Sequence, residues 1–159
     1  MIFLLLLNVA CEKKYSTLKR DSEPDVSFVE SDDGAMNEAI DKAQKSIHCF
    51  DIALENNNPN SYNYTLKESF PTVKGNEHLW IGEIQKVNGR YYGVVQNNPI
   101  DVKDVKFGDS VEVPFNRISD WMYYDGDTIR GAFTVKVLRK SMSEIDRKAI
   151  DPEGMIYEK

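Results

Sequence analysis

Asn88-Gly89 constrains this sequence more than any other pair of residues. Asparagine and glycine readily take the left-handed backbone that a two-residue hairpin turn demands. The alternating runs on either side, residues 78–86 and 90–97, therefore pair antiparallel with Val87 opposite Arg90. In a regular ladder Ile84 faces Gly93, Gly82 faces Val95 and Trp80 faces Asn97. That register puts Trp80 on the apolar face with Ile84 and Val95, so Trp80 is the expected buried tryptophan. A lone hairpin is not stable, and the rest of the chain must supply more strands and a helix to cover them.

Those partners are legible on both sides. Met36, Ile40, Ala43, Ile47, Phe50 and Leu54 recur every three or four residues, one face of a helix of about five turns. Asp32 or Asp33 caps its start, and Asn56-Asn57-Asn58-Pro59 ends it. Cys49 falls away from the stripe. Tyr62, Tyr64, Leu66 and Phe70 alternate with polar residues as a strand does. Phe107-Gly108-Asp109 turns into a short strand at 110–115, and residues 118–124 and 128–131 form a second hairpin around Asp125-Gly126. There Trp121 should face Arg130 and share an exposed face with Ser119 and Tyr123. Residues 133–149 carry a helical face with a break near Ser143, although residues 133–137 also alternate as a strand; helix is favoured. The class expected is α+β: a small antiparallel, barrel-like sheet of about five or six short strands, packed by an N-terminal amphipathic helix and a C-terminal helix.

The N-terminus speaks to compartment. Residues 1–10 are an apolar run ending in Val9-Ala10 before Cys11. This is too short to span a bilayer, which takes roughly 20 apolar residues, but has the length of a signal-peptide core. Val9-Ala10-Cys11 resembles the lipobox of bacterial lipoproteins, which implies that Cys11 is lipidated and becomes the new N-terminus. Asn8 stands where leucine is usual, and no Lys or Arg precedes the apolar run; the signal is then unusually short, or the first methionine is internal to a longer one. The competing reading, a buried apolar strand, is weakened by Glu12-Lys13-Lys14 and the polar stretch that follows. With Cys11 acylated, Cys49 has no partner for an intrachain disulfide. The organisation expected is a signal peptide at 1–10, lipidated Cys11 with a tether to 32, a folded domain at 33–149 and a tail at 150–159.

At 159 residues one core suffices, and eight Tyr, seven Phe and two Trp exclude wholesale disorder. A net charge of −6, without a basic cluster interleaved with aromatics, points away from nucleic acid.

From Met36 to about Met142 the chain resembles the YegJ-like family of bacterial proteins of unknown function. The matching pieces are Met36-Asn37, Ala39-Ile40, Ala43-Gln44, Glu77-His78-Leu79-Trp80, Asn97 with Pro99, Phe107-Gly108-Asp109, Ile118-Ser119-Asp120-Trp121-Met122 and Gly131-Ala132-Phe133-Thr134. The resemblance implies a small α+β domain, often exported, and carries no activity with it.

Three constellations bear on chemistry. His78 with Asp120 is the candidate catalytic pair, a general base with its carboxylate. Glu77 cannot easily join His78, since neighbours in a strand point to opposite faces, and Asp120 reaches His78 only if its strand adjoins residues 78–86. The structural alternative is that His78 closes a polar edge beside Trp80 and Asn97. His48 and His78 lack metal-ligand spacing, and no cofactor motif is present. The aromatics of the two hairpins offer a binding group of Trp121, Tyr123 and Arg130, with Asn97 at a rim loop; set against it, a small sheet uses aromatics simply to cover a thin core. The reading that results is an envelope lipoprotein, periplasmic or on the cell surface, carrying a non-catalytic binding module for an envelope protein or peptide. The alternatives are a hydrolase using His78 and Asp120, and an immunity-type inhibitor of an envelope toxin.

Overall fold

The computed structural model describes residues 15–18, 26–29 and 33–159. The expected signal peptide and Cys11 lie outside the described residues. Within the span read as a tether, β1 (Tyr15–Leu18) and β2 (Val26–Val29) pair antiparallel as a separate two-stranded sheet.

Asp33 opens the domain as a helix cap, its Oδ1 accepting from Ala35 N and Met36 N at 2.9 and 3.1 Å. The long stripe is two helices rather than one: α1 (Gly34–Lys45) and α2 (Ile47–Asn56). The break falls at Ser46, whose hydroxyl donates to Lys42 O at 2.7 Å and competes with the helix for its own carbonyl. The apolar face survives the break, with Met36, Ala39, Ala43, Ile47 and Phe50 all buried. Asn57, in left-handed geometry, ends α2. Cys49 is exposed.

Seven strands follow: β3 (Ser61–Thr72), β4 (Gly75–Val87), β5 (Arg90–Val95), β6 (Ser110–Val113), β7 (Ile118–Asp125), β8 (Thr128–Gly131) and β9 (Ile156–Tyr157). They form one sheet ordered β6-β5-β4-β3-β7-β8-β9, antiparallel except for the last pair. The class is α+β, as expected; the sheet has one strand more and stays open between β6 and β9 instead of closing as a barrel. Residues 133–149 are helical, as α3 (Phe133–Arg139) and α4 (Glu144–Ile150), with Ser143 capping the second. The stretch read as a tail contributes β9 and Glu158, which accepts from Gly131 N at 2.8 Å.

Two register differences separate the observed hairpins from the expected ones, and the first of them changes which side chains are core. The first hairpin begins as expected, with Val87 opposite Arg90 and Gln85 opposite Tyr92. Glu83 and Ile84 then stand against the single Gly93, a bulge that brings Ile81, not Gly82, opposite Val95. One slipped residue sends Trp80 to the other face. The expected contact of Ile84 with Gly93 survives: a Cβ on Gly93 would lie 2.8 Å from Ile84 Cδ1. In the second hairpin the turn is Gly126-Asp127, so Tyr123 rather than Trp121 faces Arg130. Trp121 is 3% exposed, and its indole donates to Ala43 O at 2.9 Å. The expected roles of the two tryptophans are reversed. Gly131 confirms the packing, because at φ 74° any Cβ there would collide with the Trp121 backbone and ring.

Candidate functional site

The sheet has two unlike faces. Leu66, Leu79, Ile81, Val95, Val113 and Trp121 lie together with Ala43, Ile47 and Phe50 from α1 and α2. Alternation sends Lys67 and Ser69 of β3, His78 and Trp80 of β4 and Asp120 of β7 the other way. There His78 is exposed while Lys67, Ser69 and Trp80 are half-buried; this is the open face.

The strand order explains how its groups meet. β3 lies between β4 and β7, so Asp120 cannot neighbour His78 directly. Lys67, opposite both Trp80 and Asp120, stands between them. Asp120 is fully buried. Its Oδ1 accepts from Trp121 N and Phe133 N at 2.9 and 3.0 Å. Its Oδ2 accepts from Thr134 N at 2.8 Å and from the Thr134 hydroxyl at 2.6 Å. Lys67 Nζ donates to that hydroxyl at 3.0 Å and lies 4.9 Å from the Trp80 ring centre. Burial lowers the Lys67 ammonium and raises the Asp120 carboxyl, each opposed by the charge of the other.

His78 is held differently. Its Nδ1 is 2.8 Å from Ser119 Oγ, and the Ser119 hydroxyl is 3.1 Å from Lys67 O. A carbonyl only accepts, so the Ser119 proton goes to Lys67 O and His78 Nδ1–H donates to Ser119 Oγ. Nε2 then carries the lone pair. Desolvation, aided by the Lys67 charge, pushes His78 down to about 4. The solvent that still reaches the residue does not alter the consequence, since an ordinary histidine is already mostly neutral at pH 7.

The other expected residues fall into place around this cluster. Asn97 Oδ1 accepts from Trp80 N at 2.6 Å, fixing the rim loop to the open face. Trp121 packs on Phe50 and Phe133 in the core, and Tyr123 stacks between Trp121 and Tyr64. Arg130 is paired with Asp125 at 3.0 Å and Glu158 at 3.4 Å. Trp121, Tyr123 and Arg130 therefore do not assemble into an exposed aromatic patch: Trp121 and Tyr123 share a face, as alternation expects, but α1 and α2 cover that face at Trp121. Glu77 is a scaffold residue, accepting from the Ile100, Asp101 and Val102 amides at 2.7–2.9 Å. Among the described residues no group of three His, Cys, Asp or Glu is placed to hold a metal.

Lys67, Thr134 and Ser119 escaped the sequence reading. Each is an ordinary polar residue in an alternating run, and only the central place of β3 makes Lys67 the link. Glu68, on the covered face, was also unforeseen. It is 1% exposed, its pKa is raised to about 7 by desolvation against the pull of Arg117 at 3.5 Å, and its Oε2 has no partner among the described residues.

Comparison with known proteins adds kinship without activity. A family model described as an uncharacterised protein conserved in bacteria, DUF2314, matches residues 33–155. The uncharacterised protein YegJ of Escherichia coli K12 is 32% identical over 107 residues, 67% of this chain and 69% of that one. A putative ankyrin repeat protein of Neisseria meningitidis serogroup B is 41% identical over 76 residues, 47% of this chain but only 30% of that longer protein. No solved structure matches.

Proposed function

Since the chain belongs to the DUF2314 family of uncharacterised bacterial proteins, we propose that its domain is a non-catalytic binding module, displayed in the cell envelope from a lipid on Cys11. The open face around Trp80, His78 and Lys67 is its recognition surface, and an envelope protein or peptide is its partner. One observation carries this reading: the groups that would have to react are spent on the scaffold. Asp120 accepts four hydrogen bonds from the start of α3 and its own strand. The Ser119 proton is held by Lys67 O, so His78 donates to Ser119 instead of activating it. What this face presents is the exposed His78 ring beside the half-buried Trp80, with the Lys67 ammonium held by the Thr134 hydroxyl, the ingredients of a contact surface. The match to 30% of a longer protein named as a putative ankyrin repeat protein suits a portable module.

Anchoring and recognition are tested together. Cys11→Ser should abolish labelling by a fatty-acid probe, because the thiol is the acyl acceptor of the lipobox reading. Crosslinking the lipidated protein in its own membrane should capture a partner that His78→Ala and Trp80→Ala lose and that Ile145→Ala, a change at an exposed residue remote in sequence, retains. Capture that survives both open-face changes would remove the recognition surface from this site.

A further inference from the structure

The ladder between β3 and β4 runs from Thr72–Gly75 to Leu66–Ile81 and stops, although both strands continue. Just past that point each strand bulges towards its outer neighbour. On β3, Asn63 and Tyr64 stand against the single Tyr123 of β7. On β4, Glu83 and Ile84 stand against the single Gly93 of β5. A continued ladder would have set these same residues opposite one another, Tyr64 against Glu83 and Asn63 against Ile84. The paired bulges instead bend the strands apart and open a cleft of about 310 Å³, lined by Asn63, Tyr64, Glu83, Ile84 and Gln96.

Both bulges hold a side chain in left-handed backbone, Asn63 at φ 53° and Glu83 at φ 52°. Asparagine accepts that conformation and glutamate resists it, so Glu83 is the residue held against preference at the opening, a mark of function rather than of folding need. Helix α2 braces one side, where the Tyr64 hydroxyl donates to Ala53 O at 2.9 Å and Lys86 pairs with Asp51 at 3.0 Å.

We propose that this cleft receives a short extended peptide carrying a lysine or arginine side chain, its main chain pairing with the strand edge left free where β3 and β4 part. Residues 62–65 and 82–86 continue as strands there without ladder partners across the cleft, so their facing edges offer the donors and acceptors that a peptide strand needs. The side chains of Asn63 and Gln96 make no hydrogen bond with the described residues, and a carboxamide matches a peptide group donor for acceptor. Ile84 and Tyr64 give an apolar floor. The exposed Glu83 carboxylate lines the cleft with no cation within ion-pair distance among the described residues, so it favours a positive side chain there.

The test is an amide NMR titration of the full chain with a capped pentapeptide of alternating valine and lysine. Controls are the matching valine–glutamate peptide and a backbone N-methylated copy of the first. Shifts should saturate at residues 62–65 and 82–86, with the glutamate peptide about three- to fivefold weaker, the scale of one exposed ion pair. The N-methylated peptide, its donors removed, should fail to bind there. Glu83→Gly suits the left-handed backbone and keeps the bulge, so it should still bind peptide while losing the preference for lysine. Shifts elsewhere or none, equal binding of the N-methylated peptide, or a lysine preference that survives Glu83→Gly would each overturn the proposal.

Discussion

The two faces of the sheet are built from the same strands and held by different physics. Under α1 and α2, Leu66, Leu79, Ile81, Val95 and Trp121 are buried against one another, and their stability comes from area and close packing. On the open face their immediate strand neighbours Lys67, His78, Trp80 and Asp120 are joined by hydrogen bonds and a cation over a ring. A change on the first face should therefore unfold the domain, and a change on the second should alter what it presents. Each face also contains one carboxylate that inverts its character. Asp120 is buried and saturated with donors; Glu68 is buried and nearly without them.

Removing each tryptophan should separate the faces most clearly. Trp121→Ala should cost about 3–5 kcal/mol of unfolding free energy, as truncation of a buried aromatic does, and Trp80→Ala under about 1.5 kcal/mol. Denaturant titrations measure both, and equal losses would erase the distinction.

Asp120→Ala comes next in size. It leaves the Phe133 and Thr134 amides without their acceptor and Lys67 without its counter-charge, a loss of about 2–4 kcal/mol. Hydrogen exchange should show the first turn of α3 opening well before the strands. Unchanged exchange there would mean that Asp120 does not hold that helix.

The Glu68 effect is smaller and depends on pH. Its folded-state pKa of about 7 lies above the ordinary 4.5, so the protonated form belongs to the folded state. Stability from this group is full below pH 4.5 and is lost as the pH rises through 7. The change is about 1–3 kcal/mol. Glu68→Gln should flatten the melting temperature between pH 5 and 8; a slope unaltered by the substitution would place the titrating group elsewhere.

Local signals were read well from the sequence, and their consequences less well. The Asp33 cap, the Asn57 terminus, the Asn88-Gly89 turn and the Ser143 break all lie where short-range chemistry puts them. Trp80 was misassigned because side-chain facing integrates every residue between turn and target. One bulge at Glu83–Ile84 reverses the face of Trp80, whereas Trp121 keeps its expected face and is buried because α1 and α2 cover it. No pattern of polar and apolar residues announces a bulge whose left-handed position holds glutamate rather than glycine. The open-face cluster was half visible: His78, Asp120 and Asn97 were singled out, but Lys67 joins it only because β3 takes the middle of the sheet.

The division of roles rests finally on one proton. If the Ser119 hydroxyl is committed to Lys67 O, His78 is protonated on Nδ1 and bare on Nε2. Nitrogen-15 NMR of the imidazole, assigned with a His78→Gln variant, reads this directly. The Nδ1–H tautomer should persist unchanged from pH 5.5 to 8, with protonation only near 4. An Nε2–H tautomer titrating near 7 would make Nδ1 a base aimed at Ser119 Oγ, and would contradict the account of a face built to bind.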